Sequence, residues 1–350
     1  ANELMIARGK RSSDPSILRS DAFPASMPYN GEPWDLILSE NVKTSQLNDT
    51  LSYTKDALDP TNTEAYEYFR ASFRFRGDFD QGVDSKTYVE FALSDTVNIV
   101  NYYPVEGMGS FIEKMHEKIK NNKRVKIFMS EQVLSVDEHK KKYKIRTSKR
   151  SLKSKFVVMA IPPAQLANIT GSIGSAIAKH DMIKFSKPML VTSITQRYDT
   201  RWWEQAFQHR RIWTIDNCLQ LMEMPLTDAG KQSNAFRVSY ADGICADYWK
   251  NIIQSSGTKA VESVVRSYLE ATFPGVTIPE PVETITQVWD GAWHFEQPSA
   301  PYTLEEKQEW ALDPLNGKNV AIVGEAFNIQ RTWSNGCLIM VNQLLETRLK

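Results

Sequence analysis

The sequence predicts a mixed α/β protein built in two parts, and three observations carry that prediction. Its 350 residues correspond to roughly two domains at about 150 residues each. Residues 125–161 hold a succession of alternating and continuous apolar segments that read as consecutive strands. The apolar segment Val320–Val323 runs through a short link into a helical pattern over 333–349. A hydrophobic fraction of 41% with 11% aromatics supports a sizeable core and excludes disorder for the bulk of the chain.

Taken in order, residues 1–60 have weak periodicity and many Ser, Asp, Asn and Pro, which predicts irregular structure with one or two short helices. Tyr66, Phe69 and Phe73 stand at helical spacing within 62–76, before a turn at Arg76-Gly77-Asp78. Val97–Tyr103 is β-like and leads to Pro104-Val105-Glu106-Gly107-Met108-Gly109. A helix follows from Ser110 with Phe111, Met115 and Ile119 on one face, and Ser110 with Glu113 has the spacing of a capping box. Strands are expected at Val125–Met129, Gln132–Val136, Lys142–Thr147 and Lys155–Ile161. The last lacks polar alternation, as strands buried on both faces do. Pro162-Pro163 stops it before a helix at Ala164–Ile169. Pro188–Gln196 is a further strand, and 197–300 alternates short strands with one helix, Thr258–Thr272. Asn319–Val323 is a buried strand turning at Gly324-Glu325, and Trp333–Leu349 is an amphipathic helix.

Composition narrows the function. Lys plus Arg and Asp plus Glu balance at 42 each, which argues against a surface built for nucleic acid. Between Lys114 and Lys155 fifteen basic residues outnumber the acids. They read as a solvated face of strands and helix, with a docking patch for an acidic partner as the alternative. Cys218, Cys245 and Cys337 are far apart and odd in number, so neither a disulfide framework nor a metal site is expected. No apolar run approaches the roughly 20 residues of a bilayer span. The start Ala1-Asn2-Glu3-Leu4 resembles neither a signal nor a transit peptide. The expectation is a soluble chain, not an integral membrane protein, with its compartment open. Asn48-Asp49-Thr50 and Asn168-Ile169-Thr170 are glycosylation sequons by pattern. Sixteen glycines fall below the about 25 that average usage would give.

The segment with chemistry in it is Val320-Ala321-Ile322-Val323-Gly324-Glu325-Ala326, followed by Trp333-Ser334-Asn335-Gly336 and a helix. An acid at the end of a buried strand can accept hydrogen bonds from a polyol. A helix start offers free N–H groups and a positive dipole end to an anionic ligand. Three more segments stand in order before it: Tyr102–Gly109 opening a helix, Val157–Pro163 ending a strand in a double proline, and Trp289-Asp290-Gly291-Ala292-Trp293-His294.

This ordered set resembles the flavin-containing amine oxidase family, and its terminal segment looks most like the L-amino-acid-oxidase branch. The resemblance spans roughly residues 90–350. It implies a Rossmann-type FAD-binding domain and a substrate domain with a mixed sheet flanked by helices. On that basis 1–95 and 171–300 would form the substrate domain, while 96–170 and 301–350 would form the FAD-binding part. FAD would be bound non-covalently. A hydride would pass from an amine or amino acid to flavin N5, the imine would hydrolyse, and peroxide would be released. Gly107 and Met108 would lie in a flavin loop, Val133 at the adenine, and Pro162 with Pro163 under the dinucleotide. Gly324 and Glu325 would meet the ribityl chain, and backbone N–H groups around Trp333 and Ser334 the pyrimidine edge. Lys187, with Lys184 in reserve, would hold a water at N5 and Trp293 and Trp333 would wall the amine; solvation of the lysine and core packing of the tryptophans are the alternatives. Arg70, Arg74 and Arg76 could clamp a substrate carboxylate or form a solvated helix face.

The pattern also departs from the family. The G-x-G-x-x-G turn that cradles a pyrophosphate occurs nowhere in the chain. Glu106, Thr332 and Asn335 stand where the family has glycine, glycine and commonly an acid. Three explanations follow: a cleaved precursor, a split oxidase, or a descendant serving as a non-catalytic subunit of a larger complex. In the first two, a second chain supplies the missing pyrophosphate-binding half.

Overall fold

The chain enters a sheet at once, where the sequence predicts an irregular and helical segment. In the computed structural model, which describes residues 3–26, 63–94, 106–225 and 233–349, Glu3–Ala7 forms strand β1 and Lys10–Ser12 forms β2. The cause is long-range pairing, which local periodicity does not report. The strands that follow are β3 (Val133–His139), β4 (Lys142–Thr147), β5 (Ser151–Ser154), β6 (Val157–Met159), β7 (Ser186–Arg197), β8 (Arg211–Thr214), β9 (Leu221–Glu223), β10 (Ala235–Asp242), β11 (Glu283–Glu296) and β12 (Val320–Ile322). The helices are α1 (Pro15–Ala22), α2 (Thr63–Ala71), α3 (Gly77–Asp80), α4 (Ser85–Ser94), α5 (Gly109–Lys120), α6 (Pro163–Leu166), α7 (Gly171–Ala178), α8 (Asp181–Lys184), α9 (Gly243–Thr272), α10 (Leu304–Leu312) and α11 (Ser334–Arg348). The expected strand at 97–103 lies outside the described residues.

Two units emerge, one from Ala1–Val89, Lys187–Thr227 and Gln232–Ser299, the other from Glu90–Ser186, Asp228–Lys231 and Ala300–Lys350. The sequence sets its boundaries after 95, 170 and 300; the major unit boundaries follow Val89, Ser186 and Ser299. The mixed α/β class holds.

The first unit is built on a mixed seven-stranded sheet in the order β11-β7-β10-β9-β8-β1-β2. β1 runs parallel to β8 and antiparallel to β2, and β10 is antiparallel to both β7 and β9. Met189–Ile194 of β7 is buried throughout, as a strand covered on both faces must be. Helix α9 lays Val261, Val265 and Leu269, at steps of four, into a core with Trp203, Phe236 and Trp249. Its φ of 74° at Gly257 breaks it into two helical stretches, so the expected helix at Thr258–Thr272 is the second half of a longer element. Cys218 and Cys245 form a disulfide within this unit, a single bond where the sequence argues against a disulfide framework. An odd count leaves Cys337 free without preventing the other two from meeting.

The second unit holds the antiparallel meander β3-β4-β5 and the parallel pair β6-β12. Val320, Ala321 and Ile322 are fully buried and pack with Ile173, Ile177, Phe327, Met340 and Leu344. Arg348 closes the end of α11, its guanidinium donating to the carbonyls of Leu312, Lys318 and Val320. β6 departs from expectation: Val158 is exposed, so the strand is not buried on both faces. Residues 125–129 form no strand, and Val125, Ile127, Phe128 and Met129 are exposed. Helix α5 forms, but Phe111, Met115 and Ile119 face solvent. Its capping box is absent: Ser110 Oγ donates back to Gly107 O at 2.7 Å, and no side chain caps the helix.

Candidate functional site

In the second unit, the site grows from the end of β12. Gly324 has φ 152° and ψ 163°, a region open essentially to glycine alone. The chain then makes a one-turn helix at Glu325–Phe327 and returns to Thr332, whose N–H donates to Glu325 Oε2 at 3.2 Å. Thr332 holds φ 70°, a conformation rarely taken by a β-branched residue. Trp333 is 52% exposed and precedes α11, whose first turn has no side-chain cap. The N–H of Gly336 turns back to Trp333 O at 3.2 Å, and those of Ser334 and Asn335 are left for a ligand or solvent. Gly336 is buried, and a Cβ there would strike the carbonyl oxygen of Gln330 and press on Asn328 at 3.3 Å. That glycine lets the loop close against the helix.

The remaining second-unit candidates are surface features. Gly107 has φ 84° with open space around it, and Met108 is exposed ahead of α5. Glu106 is paired with Lys114 at 2.9 Å, which holds its carboxyl below the usual range. Val133 begins β3, half-exposed opposite Thr147. Pro162, extended at ψ 157°, leads into Pro163 at the first position of α6, where its missing N–H costs nothing. Ser334 is the exposed first residue of α11.

In the first unit, Trp293 and the charge of Lys187 both act on Asp78, which the sequence places only in a turn. Lys187, one residue into β7, donates from Nζ to the carbonyls of Gln81 at 2.7 Å and Gly82 at 2.9 Å. Burial pushes its amine down, and attraction to Asp78 opposes that shift. Asp78 is buried in α3. Burial holds its carboxyl well above the ordinary range, and repulsion from Asp242 adds to this; a hydrogen bond from Trp293 and the charge of Lys187 pull the other way. Trp293 also lies edge-on to Phe75, with ring centroids 5.6 Å apart.

Asp242, at the end of β10, organises the backbone beneath. Its carboxylate accepts from the N–H groups of Arg76 at 3.1 Å and Gly77 at 2.9 Å, and from Gln220 Nε2 at 2.5 Å. Burial raises its pKa as well. A Cβ on Gly77 would sit 2.9 Å from Asp242 Oδ2 and 2.9 Å from Gly243 N. The expected turn at Arg76-Gly77-Asp78 is thus an interior one. The three arginines are not a solvated face either. Arg70 pairs with Asp80 at 2.5 Å, Arg74 with Glu3 at 2.5 Å, and Arg76 is buried beside Asp80 and Asp242.

Among the described residues no group of His, Cys, Asp and Glu could hold a metal, and no helix is long and apolar enough to cross a membrane. No curated protein matches the chain by sequence. Among solved structures, it is similar to cyclohexylamine oxidase from Brevibacterium oxydans IH-35A. That match has a TM-score of 0.64 and 13% identity, covering 98% of this chain and 80% of that one, and it bears on the fold. The model of the family described as flavin containing amine oxidoreductase matches residues 22–338. With nine-tenths of the sequence inside that match, the chain belongs to the flavin-containing amine oxidoreductase family.

Proposed function

We propose that the chain is the main part of an FAD-dependent oxidase of amines, with a Rossmann-type FAD-binding part completed by a second chain or segment that carries the pyrophosphate cradle. The observation that supports it most is the turn joining Gly324, Glu325 and Thr332 at the head of α11. It presents a carboxylate, an uncapped helix start and glycine-only backbone, which fit the polyol and ring edge of a flavin. When bound, FAD supplies the hydride acceptor. Glu325 would accept from ribityl hydroxyls, and the N–H groups at Trp333 and Ser334 would stabilise negative charge at the ring edge. Gly107, Met108, Val133 and Pro162 would border the cofactor. Trp293, hydrogen-bonded to Asp78, would form a fixed wall for the substrate. Lys187 would hold a water or a proton beside the reacting carbon, its amine already biased toward the neutral form by burial.

The substrate reading favours amines over α-amino acids. Arg70 and Arg74 are engaged by carboxylates of the chain itself, and Arg76 is buried between two more. That leaves these arginines little capacity to clamp a substrate carboxylate. The second reading, a non-catalytic subunit of a larger complex, draws on the exposed apolar face of α5 and the substitutions at Glu106 and Thr332. Visible absorption of the purified native protein decides between them. The oxidase shows flavin bands in the blue and produces peroxide with an amine, and Lys187→Met slows that turnover. A protein without flavin bands is the non-catalytic subunit, and unchanged turnover in the variant removes Lys187 from the site.

A further inference from the structure

We propose that Asn168 carries an N-linked oligosaccharide and that the chain matures in an oxidising, glycosylating compartment. Two independent observations, one in each unit, point there. The first is the Cys218–Cys245 disulfide. It links the turn between β8 and β9 to the first turn of α9, and Trp249 Nε1 and Ser239 Oγ both donate to the carbonyl of Cys218. Such bonds persist in oxidising compartments and are rare where thiols are kept reduced. Forming it breaks two S–H bonds and makes one S–S bond. The two electrons and two protons pass to a protein disulfide oxidant, which leaves as a dithiol.

The second observation is the placement of the sequon Asn168-Ile169-Thr170, in the turn between α6 and α7. Ile169 is buried. Thr170 is tied on three sides: its N–H and its Oγ1 donate to Leu134 O, and its carbonyl accepts from Val136 N. Asn168 itself is exposed. Its Nδ2 donates to Ala164 O at 2.9 Å, which uses one of two amide hydrogens. The other can be replaced without disturbing that bond or any buried contact. In the transfer, Nδ2 forms a C–N bond to the anomeric carbon of an oligosaccharide held on a lipid diphosphate. The anomeric C–O bond breaks with its electron pair staying on the diphosphate, and one Nδ2 proton goes to base. No electron is transferred.

Mass spectrometry of the full-length protein from its source cells tests this. Cleavage after Lys and Arg releases Phe156–Lys179, in which Asn168-Ile169-Thr170 is the one sequon. The expected result is recovery of that peptide only after glycosidase treatment in heavy-oxygen water, with Asn168 converted to labelled Asp. Thiol labelling of the denatured, unreduced chain should tag Cys337 alone. Asn168→Gln expressed in a secretory host should lose one glycan mass step, while Thr170→Ser, which keeps the hydroxyl, should retain it. Recovery of the unmodified native peptide overturns the glycan. Labelling of all three cysteines overturns the compartment.

Discussion

Thr332 shows how a residue can change while its backbone does not. It stands where the resemblance places glycine, yet it keeps a φ of 70° and donates its N–H to Glu325. A β-branched residue held there stores about 1–3 kcal/mol that the surroundings must offset. Thr332→Gly should therefore raise the free energy of unfolding by about 1 kcal/mol, and a loss of stability on denaturant titration would show that the threonine is not strained. Asp78 makes a second residue-level prediction. Unfolded, it releases its proton near the ordinary value of 3.8, whereas the buried carboxyl retains it well above that. The folded state then binds more protons, so the destabilising contribution of Asp78 is absent below 3.8 and grows as pH rises toward the folded value. Asp78→Asn should remove that part of the slope. Thermal midpoints for the two proteins should diverge from acid to neutral pH in favour of the variant, and parallel curves would contradict it.

Among the elements, those with a purely local code were legible. The strand at Lys142–Thr147 is found with the boundaries its alternation predicts, since Tyr143 and Thr147 are buried while Lys142, Lys144 and Arg146 face water. Elements that depend on a partner were not. Val125–Met129 alternates as a strand should, but makes no ladder among the described residues, because strand pattern supplies a face and not a neighbour. The helix at Thr258–Thr272 was read without its first half, whose Gly257 at φ 74° resembles a terminator in sequence. The disulfide joins residues 27 apart in sequence, and chain-entropy reasoning gives such a loop about 3.5 kcal/mol. Cys218→Ser with Cys245→Ser should lose roughly that amount in a denaturant titration. Equal stability of the wild type with and without reductant would show that the bond contributes nothing.

At the scale of the whole molecule, association is the open property with the clearest structural handle. Phe111, Ile112, Met115 and Ile119 on α5 are all exposed, and contiguous apolar surface of this kind commonly marks an interaction site. If a second chain or segment completes the cofactor site there, Phe111→Glu with Met115→Glu should lower the flavin content of the native assembly several-fold. Circular dichroism of the variant should stay unchanged, because neither side chain is buried. Full flavin content would place the completing part elsewhere.

The sequence by itself determined the mixed α/β class, the family, and the turn of Gly324 and Glu325 at the head of a helix. These follow from short-range periodicity and from ordered motifs, which are properties of neighbouring residues. Only the tertiary structure decided that Arg76-Gly77-Asp78 is interior, that Asp78 accepts from Trp293 and feels the charge of Lys187, and that Cys218 meets Cys245. Burial, charge coupling and cross-linking are set by residues brought together from distant parts of the chain, and no local pattern encodes which of them will meet.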